Sequence, residues 1–323
     1  MMRMYALLLL LFFGTAAPGQ MVIDSYRFGA PAPAADLLLD SFPGAGVAFS
    51  FRKLDKDYAG NAIKVVRASD KDSVNVGFVG GYLDTISMKS FCGTGATDSC
   101  FVSTWYDQSG NTRNAVNYTY ATMPKIMING AVLYKGTNVV MQRDSDFVAM
   151  PANLQLTNQT IFSAMALNIA VDAATPSFAF FQADSTAGTN FLFFGATTAS
   201  LSSERHSWIT VGTSALVYGS GQTTTNLSAA RYLWTHLFNQ ASPTTQVYKN
   251  AVLESMTITT GGGGGGGGAF SATNYPRSFN LARPAGNTAI RNTSTMEVIV
   301  YPSDQSTNRA AIETNINNFY NIY

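Results

Sequence analysis

From residue 47 onward, short apolar stretches rich in Val, Ile, Phe and Trp alternate with Gly, Asn, Asp, Ser and Thr, and this constrains the chain more than any other feature. The stretches cover residues 47–51, 62–66, 74–78, 101–105, 161–165, 178–181, 191–194, 208–211, 246–248 and 297–301. Each is too short for a buried helix. β-branched and aromatic runs bounded by turn residues read as strands, and many of them at this spacing argue for a sandwich or jelly roll. Strands alternating with long helical patterns are absent, which excludes a nucleotide-binding βαβ enzyme. Two helices are predicted, over 83–90 and 307–320. In the second, Ile312, Ile316 and Phe319 share a face and Ser306 stands ready to cap it. The fold class is all-β: a two-sheet jelly-roll sandwich with a short internal helix and a C-terminal helix.

The ends divide the chain. Arg3 precedes an unbroken apolar run from Tyr5 to Phe13, and Ala17 and Gly19 stand at small-residue positions before Gln20. This order is that of a signal peptide or hydrophobic leader over 1–19, with Met21 as an alternative start. The run is shorter than the ~20 apolar residues of a membrane span. Residues 20–45 contain Ala-Pro-Ala-Pro-Ala-Ala and read as a connector arm, leaving 46–323 as the sandwich domain.

Charged residues are 12% of the chain and the formal net charge is +1. With no basic run, neither nucleic acid nor acidic lipid is an expected partner. A hydroxyl- and amide-rich surface suits an extracellular or virion-surface location. Cys92 and Cys100 flank a Gly-, Ser- and Asp-rich spacer and read as a small disulfide loop. They do not complete a metal site, since the histidines, His206 and His236, are far along the chain. No cofactor is implied, and the Asp- and Asn-rich loops lack a recognised calcium-ligand spacing. Asn-x-Ser/Thr sequons at Asn117, Asn158, Asn226 and Asn292 read as chance matches in a chain rich in Asn and Thr. Gly261 to Gly268 reads as a flexible hairpin loop; a phosphate loop would continue with Lys and Ser/Thr, whereas Ala269-Phe270 follows.

Two blocks carry a resemblance. Phe49-Ser-Phe-Arg-Lys-Leu54, Tyr58-Ala-Gly-Asn, Arg67-Ala-Ser-Asp70, Ser90-Phe-Cys and Tyr106-Asp-Gln-Ser-Gly110 come in one order. This set resembles the N-terminal part of the arabinofuranosidase B catalytic-domain family, and it is also similar to a module of bacteriophage structural proteins. From Trp234 to Tyr323, Val247-Tyr-Lys-Asn-Ala251, Glu297-Val-Ile-Val-Tyr301 and a terminal helix resemble the closing half of concanavalin A-like and laminin G-like domains. The resemblance implies a concanavalin A-like sandwich. It does not carry over catalytic residues: the family's Asp-Leu-Glu-Asn-Gly nucleophile segment and its adjacent cysteine pair have no counterpart here.

A glycosidase needs two carboxylates. Candidates are Glu204, beside Arg205 and His206, Glu297, in a near-continuous apolar strand, and Asp107, in the Tyr-Asp-Gln-Ser-Gly segment. Each also has a structural reading: a solvated loop for Glu204, an arginine partner for Glu297 and a strand-end acceptor for Asp107. Asp184 lies in the middle region, and Asp144 and Asp146 read as a turn before a strand. Trp105, Tyr106, Trp208, Tyr218 and Tyr232 are the aromatic candidates for stacking on sugar rings. The expectation is an exported or virion-surface structural or adhesion protein, non-catalytic, whose lectin-like domain meets glycans or neighbouring subunits, including further copies of itself. A secreted arabinofuranosidase-like hydrolase is the alternative, and a fibre or decoration subunit without sugar affinity a third reading.

Overall fold

The computed structural model describes residues 37–143, 148–150, 158–167, 178–184, 191–196, 205–211, 216–222, 230–239, 244–254, 278–281 and 293–323. Residues 1–19, where the sequence suggests a leader, and the glycine run lie outside them. The compact unit comprises Asp36–Tyr323.

Two antiparallel layers face each other. In the first, strand Thr293–Tyr301 is flanked on one side by Asn158–Leu167, then Arg231–Asn239 and Thr244–Lys249. Val47–Ser50 covers its other side, pairing Val47 with Val300 and Ser50 with Glu297. In the second layer Ile63–Arg67 lies between Ser73–Val76 and Cys100–Trp105. Pairings continue through Ala115–Val116, Val148–Met150, Ser278–Leu281 and Phe178–Asp184 to Phe191–Ala196, Arg205–Val211 and Leu216–Gln222. Met141–Arg143 joins the layers: it pairs with Thr293–Thr295, and its Gln142 with Lys125.

The two-residue period of each strand sorts its side chains. Val47, Phe49, Ile63, Val65, Val102, Trp105, Ile161, Trp234, Val298 and Val300 meet between the layers. Ala48, Phe162, Leu233, Ile299 and Tyr301 point the other way and are covered by helices. Strand Thr293–Tyr301 is therefore buried along its whole length, which is why it reads as an apolar run without alternation.

Among the described residues, three α-helices complete the unit: α1 (Leu38–Ser41), α2 (Thr85–Cys92) and α3 (Arg309–Tyr320). Residues 37–45, read in sequence as part of a connector, are packed: Leu38 and Leu39 join Ile312, Ile316 and Tyr320 beneath the first layer. Helix α2 starts two residues later than its sequence pattern suggests. Leu83 belongs to a hairpin with Phe78, and Asp84 caps the helix by accepting from the Ser87 backbone at 3.0 Å. Ser306 does not cap α3. Its own N–H donates to Asp304 in a preceding turn, and Asn308 occupies the N-cap. Cys92 and Cys100 form a disulfide that ties the end of α2 to the second layer.

Candidate functional site

Glu297 sits where the bulge opposite Ala164/Met165 inserts Met296 as an extra residue. The bulge leaves both Met296 and Glu297 on the helix-covered face. There the Glu297 carboxylate meets Arg52 in a two-pronged pair, Nε to Oε2 at 2.7 Å and Nη2 to Oε1 at 2.9 Å. Ser50 Oγ and Tyr320 Oη donate to Oε2 as well, at 2.7 and 3.1 Å. Arg52 continues to Asn315 Oδ1 and lies over the Phe319 ring. Both Glu297 oxygens and all three Arg52 side-chain nitrogens have a protein partner, and Glu297 is 1% exposed. Such a carboxylate joins strand to helix and has no path to a substrate.

Asp107 is equally committed. Its Oδ1 accepts from the backbone of Ala48 and Ser109, both at 2.9 Å, and its Oδ2 from the Arg113 backbone and Ser109 Oγ. Gln108 spans the next turn, accepting from Leu54 N and donating to the Ser50 and Arg52 carbonyls. Ser109, Asn111 and Arg113 all donate to the Gly46 carbonyl. The Tyr-Asp-Gln-Ser-Gly segment thus fastens the first strand to the end of Cys100–Trp105. Nearby, burial first and Asp107 second push the Tyr58 phenol up to about 12.

The aromatic candidates separate. Trp105 has no exposed surface, stacks on Phe51 at 5.0 Å and fills the space between the layers. Tyr232 is buried beside Trp234. Both are core residues: each falls on the inward phase of its strand, so neither faces a ligand. Trp208 and Tyr218 occupy neighbouring register positions on paired strands, Trp208 opposite Gly219 and Tyr218 opposite Ile209; their side chains lie outside the described residues. Glu204, Asp144 and Asp146 lie outside them too. Asp184 ends its strand opposite Phe191 and Ser278.

Tyr106 lies in an open groove of about 400 Å³ on the outer face of the second layer, with Lys64, Ser103, Thr104, Asn114 and Tyr118. The groove owes part of its lining to a second bulge. The register shift between Lys64 and Val65 makes Ser103 an extra residue, so Ser103 and Thr104 both reach the groove. Tyr106 Oη donates to Asn75 Oδ1 at 2.8 Å. A second groove of about 410 Å³ is lined by Tyr82, Tyr134, Asn138, Phe319 and Tyr320. It lies over the hidden Glu297 cluster, which Tyr320 roofs. Lys64 and Tyr118 were not singled out in sequence. The available signal was the alternation of Lys64 with the core residues Ile63 and Val65. Among the described residues, no three His, Cys, Asp or Glu side chains gather to hold a metal, and no helix is long and apolar enough to cross a membrane.

Residues 42–163 match the family model "Alpha-L-arabinofuranosidase B, catalytic". No curated protein matches the chain. Among solved structures, a variant GH54 α-L-arabinofuranosidase soaked with 4-nitrophenyl α-L-arabinofuranoside superposes with TM-score 0.57 at 14% identity. That likeness covers 84% of this chain and 62% of the other. An arabinofuranosidase complexed with arabinofuranosyl-α-1,2-xylobiose matches with TM-score 0.55, 14% identity and the same coverage, 84% and 62%. The chain thus spans less than two thirds of these neighbours' length. At this identity the likeness establishes the concanavalin A-like sandwich. The non-catalytic structural or adhesion reading is corrected by these findings: the matching family model is that of a catalytic domain, and both solved neighbours are arabinofuranosidases. A match over residues 42–163 outweighs the absence of the short Asp-Leu-Glu-Asn-Gly segment and the likeness to a bacteriophage module.

Proposed function

We propose that this chain is an arabinofuranosidase-like glycoside hydrolase, an exported enzyme that removes terminal α-L-arabinofuranosyl groups from a glycan. The observation that carries this reading is the catalytic-domain family match over residues 42–163. The sandwich shared with two arabinofuranosidases supports it, and the Cys92–Cys100 disulfide supports export to an oxidising compartment.

Glycoside hydrolysis uses two carboxyl groups, ~5–5.5 Å apart for retention and ~6.5–9.5 Å for inversion. Several described carboxylates have structural duties. Asp107 and Glu297 are buried and fully engaged, and Glu313 is paired with Arg309. Asp84 caps a helix, and Asp70 is held by Arg67. The reactive pair is sought among Asp144, Asp146, Asp184 and Glu204, named above from the sequence, together with Asp172.

The test is release of nitrophenol from 4-nitrophenyl α-L-arabinofuranoside by the purified chain and by Asp144→Asn, Asp146→Asn, Asp172→Asn, Asp184→Asn and Glu204→Gln. Turnover by the parent chain is expected, with two variants reduced by about 10²–10⁴-fold. Absence of turnover by the folded parent on this and on arabinose-substituted xylan oligomers overturns the assignment.

A further inference from the structure

The groove beside Tyr106 is lined by two lysines, hydroxyls, an amide, aromatic rings and the apolar Val66, Val116 and Met123, and no carboxylate is among these residues. Tyr118 lines it with 83% of its surface exposed, so its ring face is open to a ligand. Burial first and the Tyr118 ring second raise the Tyr106 phenol above its ordinary value, so the two tyrosines lie near one another. Lys64 rises from the middle strand of the three that floor the groove, opposite Asn75 on one side and Thr104 on the other. Among the described residues it has no carboxylate partner. Lys71 adds a second positive charge from the adjoining turn, where it donates to Ala68 O and covers the Tyr120 ring. The acids of the adjoining turn face Arg67. Asp70 is bound by Arg67 through both oxygens, and Asp72 leans towards the same guanidinium.

We infer that this groove binds an anionic glycan segment, with the ring face of a uronosyl unit on Tyr118 and its carboxylate towards Lys64. Each part of the lining answers one part of that ligand. A pyranose presents C–H groups on one face, which pack on an aromatic ring, and hydroxyls at its edge, which pair with Ser and Asn side chains. Its carboxylate supplies the negative charge for two lysines in a groove without acids. The lack of a lining carboxylate also marks the groove as a place for holding a chain rather than cleaving it. The inference does not depend on the hydrolase assignment, because it concerns binding by described residues alone.

The test is calorimetric titration of trigalacturonate, and of its carboxyl-reduced counterpart, into the full chain and into the variants Tyr118→Ala, Lys64→Gln and Lys64→Arg. Tyr118→Ala and Lys64→Gln are expected to weaken the acidic trisaccharide by about tenfold each, and Lys64→Arg to keep most of the affinity. The reduced trisaccharide should bind the parent about tenfold more weakly, and the acid should lose affinity as ionic strength rises. Both substituted side chains project outward, so an unchanged thermal midpoint checks that the variants are folded. Equal binding of the acidic and reduced sugars, affinity untouched by both substitutions, or no binding to the folded parent at millimolar sugar each overturns the inference. Nitrophenol release is read separately, so the two assignments fail or stand independently.

Discussion

Arg52 and Glu297, 245 positions apart in sequence, close on each other through two parallel N–H···O bonds at 2.7 and 2.9 Å. Their pairing ties the end of the first strand to the centre of the most buried one, and α3 seals it through Asn315 and Tyr320. A buried pair of this kind contributes little net stability over an apolar replacement, but either half alone is costly, because the other charge stays behind without water. Arg52→Met is therefore expected to destabilise the chain by ~3–5 kcal/mol in urea unfolding, and the double variant Arg52→Met/Glu297→Leu by much less. A double variant as unstable as the single one would show that the pair does more than compensate its own burial.

Asp107→Asn tests whether the Tyr-Asp-Gln-Ser-Gly segment is a fastening or part of a catalytic centre. Asp107 accepts three backbone N–H groups and one hydroxyl. An amide presents one oxygen and one NH2, so donors on one side would face a donor. A loss of ~2–4 kcal/mol in unfolding free energy is expected. Turnover per folded molecule should stay at the parent value; a specific loss of turnover at full folding would return Asp107 to the reaction.

Strand runs such as 62–66 and 101–105 were legible because β-branched and aromatic residues cluster there, and the C-terminal helix because Ile312 and Ile316 repeat at helical spacing. The partners across the sheets were not legible. Nothing local says that Ser50 will lie opposite Glu297, or that Met296 and Ser103 will be bulged. Those bulges decide which way Glu297 and Thr104 point, so a strict two-residue period misplaces residues around the site. Trp105 and Tyr106 show the same limit. Adjacent in sequence and equally aromatic, they part at the strand end, one into the core and one into the groove. The packing of 37–45 was hidden because Ala and Pro just upstream suggest a linker, while Leu38 and Leu39 find their contacts only on α3.

Asp70 offers a pH test. Hydrogen bonds from Arg67, then from the Asp72 backbone, hold its carboxyl down to about 2. The folded value lies below the ordinary ~3.9, so the contribution to stability is present above ~4 and is lost as pH falls from there through about 2. In Arg67→Gln the Asp70 side-chain resonances should titrate closer to the ordinary aspartate value. A midpoint unchanged from the parent would mean that the backbone donors, not the guanidinium, hold the carboxylate.

The Cys92–Cys100 disulfide closes a loop with a sequence separation of 8. Loop-closure entropy for a ring this size gives ~2–3 kcal/mol of stabilisation. Cys92→Ala/Cys100→Ala is expected to lower the unfolding free energy by about that amount, and a reductant should then have no further effect. Continued sensitivity of the double variant to reductant would place the effect elsewhere, since the chain holds no other cysteine.

Gly130 shows how that loop is seated against the second layer. It turns the hairpin between Lys125–Ile128 and Ala131–Val132 with φ +75°, and its N–H donates to Asp98 O at 2.8 Å. A Cβ at this position would meet the Thr94 carbonyl oxygen at 2.3 Å and the Gly95 oxygen at 2.9 Å. Both obstacles are backbone held by the disulfide, so neither can swing aside as a side chain would. Gly130→Ala therefore combines an unfavourable left-handed conformation with a steric clash, and ~2–4 kcal/mol of destabilisation is expected. Removing the disulfide lets the loop retreat, so Gly130→Ala should cost less in the Cys92→Ala/Cys100→Ala background than in the parent. Strictly additive losses in urea unfolding would show that the loop keeps its place without the bond.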